Sequence, residues 1–230
     1  MCNNLDDQCN HCHEHTLTHE LIVHFPYAVV SVAIALGILS FTSYYACLGA
    51  VADVCRSSKI LFHCFHFMHI VFSATGTVIT CFRFSQKWGR SLLIGIISPI
   101  VFCALSDSVL PYIGGCALGV NMRFHLCFFS ELRNVVPFLV VGVLNGFIMT
   151  QHKRTLLPTY SIFSHVAHIL VSSLASTFYL VSYGFVQWYS QIGYVFLFLI
   201  VAVVLPCTLS DLVVPMMFAK AENGDKKHKA

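Results

Sequence analysis

Six stretches of this 230-residue chain are apolar over about the length that a membrane crossing requires, and little sequence separates them. They are Leu21–Leu48, Ile60–Phe82, Ser91–Tyr112, Val135–Thr150, Ile162–Tyr183 and Ile192–Phe218. A helical span takes about 20 apolar residues, so only Val135–Thr150 is short, and it is expected to begin earlier, through Phe128 and Glu131. Lipid offers the backbone no hydrogen-bonding partner, so isolated strands are excluded and each run must be a helix. Charged residues make up 10% of the chain, against about 25% in a soluble domain. That is too little charge to cover a water-facing surface. Disordered, collagen-like and coiled-coil chains are excluded by the same composition. The expected class is an all-α, polytopic membrane protein with six transmembrane helices, multi-pass in the lipid bilayer.

A net charge of +3 gives no reason to expect a nucleic-acid partner. Residues 1–20 carry Asp6, Asp7, Glu14 and Glu20 but neither Lys nor Arg, so they lack the basic region of a cleavable leader. Cysteines number eleven, an odd count, and Cys64, Cys81, Cys103 and Cys207 lie inside apolar runs where Cys acts as a small hydrophobe. This is not the spacing of a secreted disulfide framework.

Positive charge sets the direction of insertion. With six spans, the N-terminus shares a side with Arg83, Lys87 and Arg90, with Lys153 and Arg154, and with the four lysines of residues 219–230. The other side receives Arg56, Lys59, Arg123 and Arg133. Nine positive charges against four place both termini in the cytoplasm. A seventh span over Gly114–Ser130 would contain Arg123 and His125 and would move the tail lysines outside, so that segment reads as a connection.

The chain also repeats itself. Cys103, Leu105, Ser106, Asp107 and Pro111 are matched by Cys207, Leu209, Ser210, Asp211 and Pro215 at equal spacing. His66, His69 and Ser73 are matched by His165, His168 and Ser172, and Glu20 with Pro26 by Glu131 with Pro137. The three matches occur in the same order. The expected organisation is a His/Cys-rich segment over 1–20, a three-helix repeat over 21–113, a connection over 114–130, a second three-helix repeat over 131–218 and a basic tail over 219–230. A unit with three crossings leaves its copy starting from the opposite face. The two repeats are therefore expected to be inverted, with a site where they meet near the midplane.

The matched residues are polar, and that points to chemistry. His66 with His69, and His165 with His168, are i, i+3 pairs on one helical face, and neutral imidazole is a common ligand of Zn, Fe, Cu and Ni. Packing against neighbouring helices is the alternative role. An Asp inside a span costs about 2.5–3.5 kcal/mol on insertion scales, and this chain pays it at Asp107 and again at Asp211. Pro111 and Pro215 follow four residues later and cannot donate to the carbonyl of the Asp. A free carbonyl would then stand beside a carboxylate and the hydroxyl of Ser106 or Ser210, as in the broken helices of transporters; local capping at a kink is the alternative. Glu20 and Glu131 open their helices, as caps favoured by the helix dipole or as proton-exchanging gates. Gly37, Gly49, Gly142 and Gly146 permit close helix contacts, within one chain or in a homo-oligomer.

Residues 9–24 contain Cys9, His11, Cys12, His13, His15, His19 and His24. Cys-x-x-Cys beside His has the ligand spacing of a zinc site, and His15, His19 and His24 lead onto the first helix. The run His11-Cys12-His13-Glu14-His15-Thr16-Leu17-Thr18-His19 resembles the metal-rich segment that leads into a helix in heavy-metal or manganese permeases. Ser106-Asp107-Ser108-Val109-Leu110-Pro111 resembles their intramembrane Ser-Asp-x-x-x-Pro segment. The two matches cover about thirty residues of a chain shorter than those proteins. The residues, in line with this resemblance, point to a transporter for a divalent transition metal (Mn, Fe or Zn) and not to an enzyme, with proton exchange by His as the coupling and the N-terminal cluster as a cytosolic acceptor or sensor. Asp107 and Asp211 would form the midplane site and the paired His would complete or gate it. The residues leave three other classes open: a redox protein holding haem between two histidines, a membrane-embedded metalloenzyme, and a purely structural or assembly role.

Overall fold

The computed structural model describes residues 17–47, 51–151, 157–215 and 217–218. Among them no strand occurs. Helix α1 spans Leu17–Cys47 and α2 spans Val51–Ser85. Helix α3 runs over Trp88–Ala117, and after an irregular connection comes the short α4, Cys127–Ser130. Helices α5, Leu132–Gln151, α6, Leu157–Ser182, and α7, Ile192–Thr208, follow. All but α4 contain a segment long and apolar enough to cross a membrane, six in total. The outer surface carries exposed Phe41, Leu93, Ile97, Ile148 and Leu197, the reverse of a water-soluble surface. The protein is a multi-pass helical membrane protein.

Helices α2 and α6 form the centre. They pack on each other; α2 also packs on α3 and α5, and α1 lies on α6 and α7. Apolar burial at Phe62, Phe178, Tyr179, Leu39 and Leu199 fills the contacts. In lipid, helices associate through close packing and interhelical hydrogen bonds, and both are visible where α5 crosses α2. A Cβ on Gly142 would stand 2.7 Å from the carbonyl oxygen of Val71, and one on Gly146 would stand 2.7 Å from Val78 Cβ. Thr75 Oγ1 donates to the Gly142 carbonyl at 3.0 Å. These two glycines therefore serve contacts within the chain. Gly37 has open space beside it, and Gly49 lies outside the described residues.

The repeated Asp-x-x-x-Pro segments do not break their helices, contrary to the expectation from Pro111 and Pro215. Each forms one widened π turn, Leu105–Val109 in α3 and Leu209–Val213 following α7. The amide of Leu110 donates to the carbonyl of Leu105, and that of Val214 to Leu209, five residues back. Widening the turn shifts the hydrogen-bond register past the missing proline donor, so the helix continues. Hydroxyls from neighbouring helices also bind this stretch. Ser176 donates to the Ser106 carbonyl at 3.0 Å, and Thr77 and Ser98 each donate to the Ser210 carbonyl at 3.2 Å.

Residues 118–126 are irregular and pinned to the end of α6. The Arg123 amide donates to the Tyr183 carbonyl at 2.8 Å, and the His125 amide donates to the Tyr179 hydroxyl oxygen at 3.0 Å. Gly184, at φ +133°, lets the chain after α6 approach within contact of Asn121.

Candidate metal centre

Helix α2 places His66 and His69 on the face that meets the π turn of α3. Both Nδ1–H groups donate to one oxygen of Asp107, Oδ2, at 2.9 and 2.7 Å. The other oxygen, Oδ1, accepts from Ser106 Oγ at 2.7 Å and from Ser172 Oγ at 3.0 Å. Asp107 is fully buried. Four donors converge on it, which is how a carboxylate is tolerated away from water.

The second half builds the same relation from α6 and the π turn after α7. His168 Nδ1–H donates to Asp211 Oδ2 at 2.6 Å, and His165 Nδ1 stands 3.5 Å from the same oxygen. Gly76 of α2 makes room for this carboxylate, since a Cβ there would come within 3.1 Å of Oδ2. Asp211 Oδ1 is buried without a hydrogen-bond partner.

Between the two carboxylates stand two imidazoles. His69 Nε2 and His168 Nε2 are 2.6 Å apart. Each ring already commits its Nδ1–H to a carboxylate, so the two nitrogens that face each other both turn an acceptor lone pair inward. Cys207 Sγ lies 3.7 Å from His69 Nε2 and 3.4 Å from Ser172 Oγ. The donor atoms of His69, His168 and Cys207 all lie within 4.8 Å of one another, and all three residues are buried. His69 is the central residue of the span Cys55–Arg83.

The aspartates thus do not face each other. Each holds a histidine by Nδ1 and turns its Nε2 inward, the carboxylate–histidine arrangement that fixes the tautomer and raises the basicity of a metal-binding imidazole. Chemically, the centre offers two oriented nitrogens and one sulfur.

The other expected residues divide. Ser106 binds Asp107 directly, whereas Ser210 Oγ joins Ser73 and Ser98 at 3.0 and 3.1 Å and ties its π turn to α2 and α3. Glu131 directly precedes α5; its carboxylate accepts from the Asn134 side-chain amide at 2.7 Å and its carbonyl from the backbone amides of Asn134 and Val135 at 2.8 and 3.0 Å. Glu20 and His19 lie in the first turn of α1 with undescribed side chains, and Cys9, His11, Cys12, His13 and His15 lie outside the described residues. His24 is buried, its ring edge-on to His165 with centroids 4.1 Å apart. Cys207, which the sequence presents as a hydrophobe in an apolar run, was missed as a donor. Its signal was the matched Cys-x-x-x-Asp spacing at Cys103 and Cys207.

A second group of donors lies toward the other end of α2, where His63, His125 and Cys127 also have ligand atoms within 4.8 Å of one another. His125 and Cys127 are outside the spans. Burial lowers the His125 pKa below the ordinary value, with neighbouring His63 and Lys59 adding to it. Burial pushes the Cys127 thiol up to about 12.

No family model matches this chain, and no curated protein and no solved structure matches it.

Proposed function

We propose that the protein transports a divalent transition-metal cation, held as substrate by His69 Nε2, His168 Nε2 and Cys207 Sγ at mid-depth of the bundle. The observation that carries this reading is the buried line Asp107–His69–His168–Asp211. Two imidazoles that turn their Nε2 atoms toward each other are hard to explain as packing, because one lone pair against another is repulsive without a shared cation. A proton fills that role at 2.6 Å; a metal ion fills it with longer bonds and adds the sulfur. Nitrogen and thiolate donors favour Zn or Fe over Mn. Entry of the metal displaces the shared proton, which supports proton exchange as the coupling.

The site lies where two inverted three-helix repeats would meet. Support for that arrangement comes from matched features: each half gives two histidines to its own aspartate, each aspartate sits on a π turn, and the first helix of each half packs on the second helix of the other. Both termini face the cytoplasm under the positive-inside rule. His165 and His24 then lead from the centre toward the cytoplasmic histidines and cysteines of residues 1–20.

A haem reading requires a macrocycle between rings that are in direct contact. A metalloenzyme requires a site that a lipid or peptide can reach, and His69, His168 and Cys207 are buried. The ion reading fits both facts. Purified protein in zinc-loaded vesicles with a zinc-sensitive dye tests it. We expect flux in the wild type and at least a tenfold loss in His69→Gln; equal flux in the two overturns the proposal.

A further inference from the structure

The group formed by His63, His125 and Cys127 belongs to neither the central line nor the N-terminal cluster. His63 donates from Nδ1 to the Lys59 carbonyl at 2.7 Å, which fixes the tautomer and leaves the Nε2 lone pair free. That Nε2 is buried and has no hydrogen-bond partner, a costly condition for a polar atom. Here it lies within 4.8 Å of ligand atoms on two more residues, His125 and Cys127. His125 lies opposite, its ring stacked on Tyr183 with centroids 4.8 Å apart, its amide bonded to the Tyr179 hydroxyl, and Ser130 Oγ 3.3 Å from its Nε2. The rings of His63 and His125 are 5.6 Å apart at a steep angle, and Cys127 is buried beside them. The irregular segment 118–126 is thus pinned so that a loop histidine meets a helix histidine across a thiol.

We infer that His63, His125 and Cys127 form a second transition-metal site, of zinc-like character, on the side of the bundle opposite His24. Two imidazoles and the Cys127 thiolate, formed as the binding ion displaces the thiol proton to solvent, make three ligands of a tetrahedral site and leave the fourth position open to water or an exchanging ligand. An open position suits a site that passes its ion on. His63 and His69 are six residues apart on α2, about 9 Å along the axis, and His66 lies between them. As a metal site the group stands alone; as the port of the central centre it rests on the transport reading. The second half has no equivalent: by the spacing that relates His66 to His165, the place of His63 is taken by Ile162. The port therefore belongs to one face, the non-cytoplasmic one under the proposed orientation.

The test uses the full-length chain in detergent with Cys9→Ser and Cys12→Ser, to silence the leading cysteines, and zinc as the probe. Bound zinc is counted by mass spectrometry after gel filtration. Two zinc ions per chain are expected, falling to one in Cys127→Ser and in His125→Gln, each still monodisperse. If Cys207→Ser retains both ions while Cys127→Ser loses one, the second site stands and the central reading fails. Zinc X-ray absorption on the chain carrying Cys207→Ser as well reads the same site without disturbing it. One sulfur at about 2.3 Å with nitrogen neighbours is the expected result; nitrogen and oxygen alone, or unchanged stoichiometry in both second-site variants, overturns the inference.

Discussion

Asp107 and Asp211 share a sequence pattern but differ in how completely they are satisfied. Asp107 accepts from His66, His69, Ser106 and Ser172, whereas Asp211 keeps one buried oxygen without a partner. An Asn at 107 would present an amide donor to surrounding donors. We expect Asp107→Asn to destabilise the protein by about 1–3 kcal/mol and Asp211→Asn by less, in denaturant unfolding in detergent. Both should weaken zinc binding about 10–100-fold, the usual effect of losing the group that orients a metal-binding histidine. Equal, negligible effects on affinity would leave the aspartates as capping groups only. That these histidines and aspartates carry the polar chemistry of the spans was legible in the sequence, because ionisable residues inside apolar runs stand out against their surroundings; that each aspartate binds the histidines of its own half was not. Cys207 was not, since a thiol in such a run has the composition of a core residue. The reversal of roles was not legible either: helical spacing gives the face on which His69 and His168 lie, but not which ring nitrogen is taken by a carboxylate.

At the scale of elements, the six spans follow directly from apolar length, and α5 begins at Leu132, three residues before its apolar run. The π turns could not be read. Proline four residues after Asp removes one donor, and sequence alone does not say whether a helix then breaks or widens. Hydroxyls on other helices bear on the outcome, since Ser176, Thr77 and Ser98 bind carbonyls in these turns. Contact between α2 and α5 depends on Gly142 and Gly146, one turn apart. Gly146→Val would drive a side chain into Val78, and overpacking of this kind costs about 1–3 kcal/mol. Thermal unfolding should report that loss, while Gly37→Val, with open space beside it, should leave the unfolding temperature unchanged in the monomer. The same loss at both positions would contradict the packing described for α5.

Taken whole, the molecule lines up titratable side chains from one face to the other. His63, His125 and Cys127 stand at one end, Asp107, His69, His168, Cys207 and Asp211 in the middle, and His165 with His24 at the other. α2 and α6 carry the central histidines because they are the helices most enclosed by others, so an ion there is screened from lipid on all sides. With both termini proposed in the cytoplasm, a C-terminal tag should be cleaved by protease only in inside-out vesicles; cleavage in right-side-out vesicles would reverse the assignment of the port. In the proposed cycle a metal ion replaces a proton shared between His69 and His168 as it crosses. Vesicles containing the purified protein, with one dye reporting zinc entry and another reporting internal pH, measure this in a single experiment. Zinc entering the wild-type vesicles should be accompanied by protons leaving, and both signals should vanish together in His168→Gln. Zinc entry that persists in His168→Gln would contradict the account.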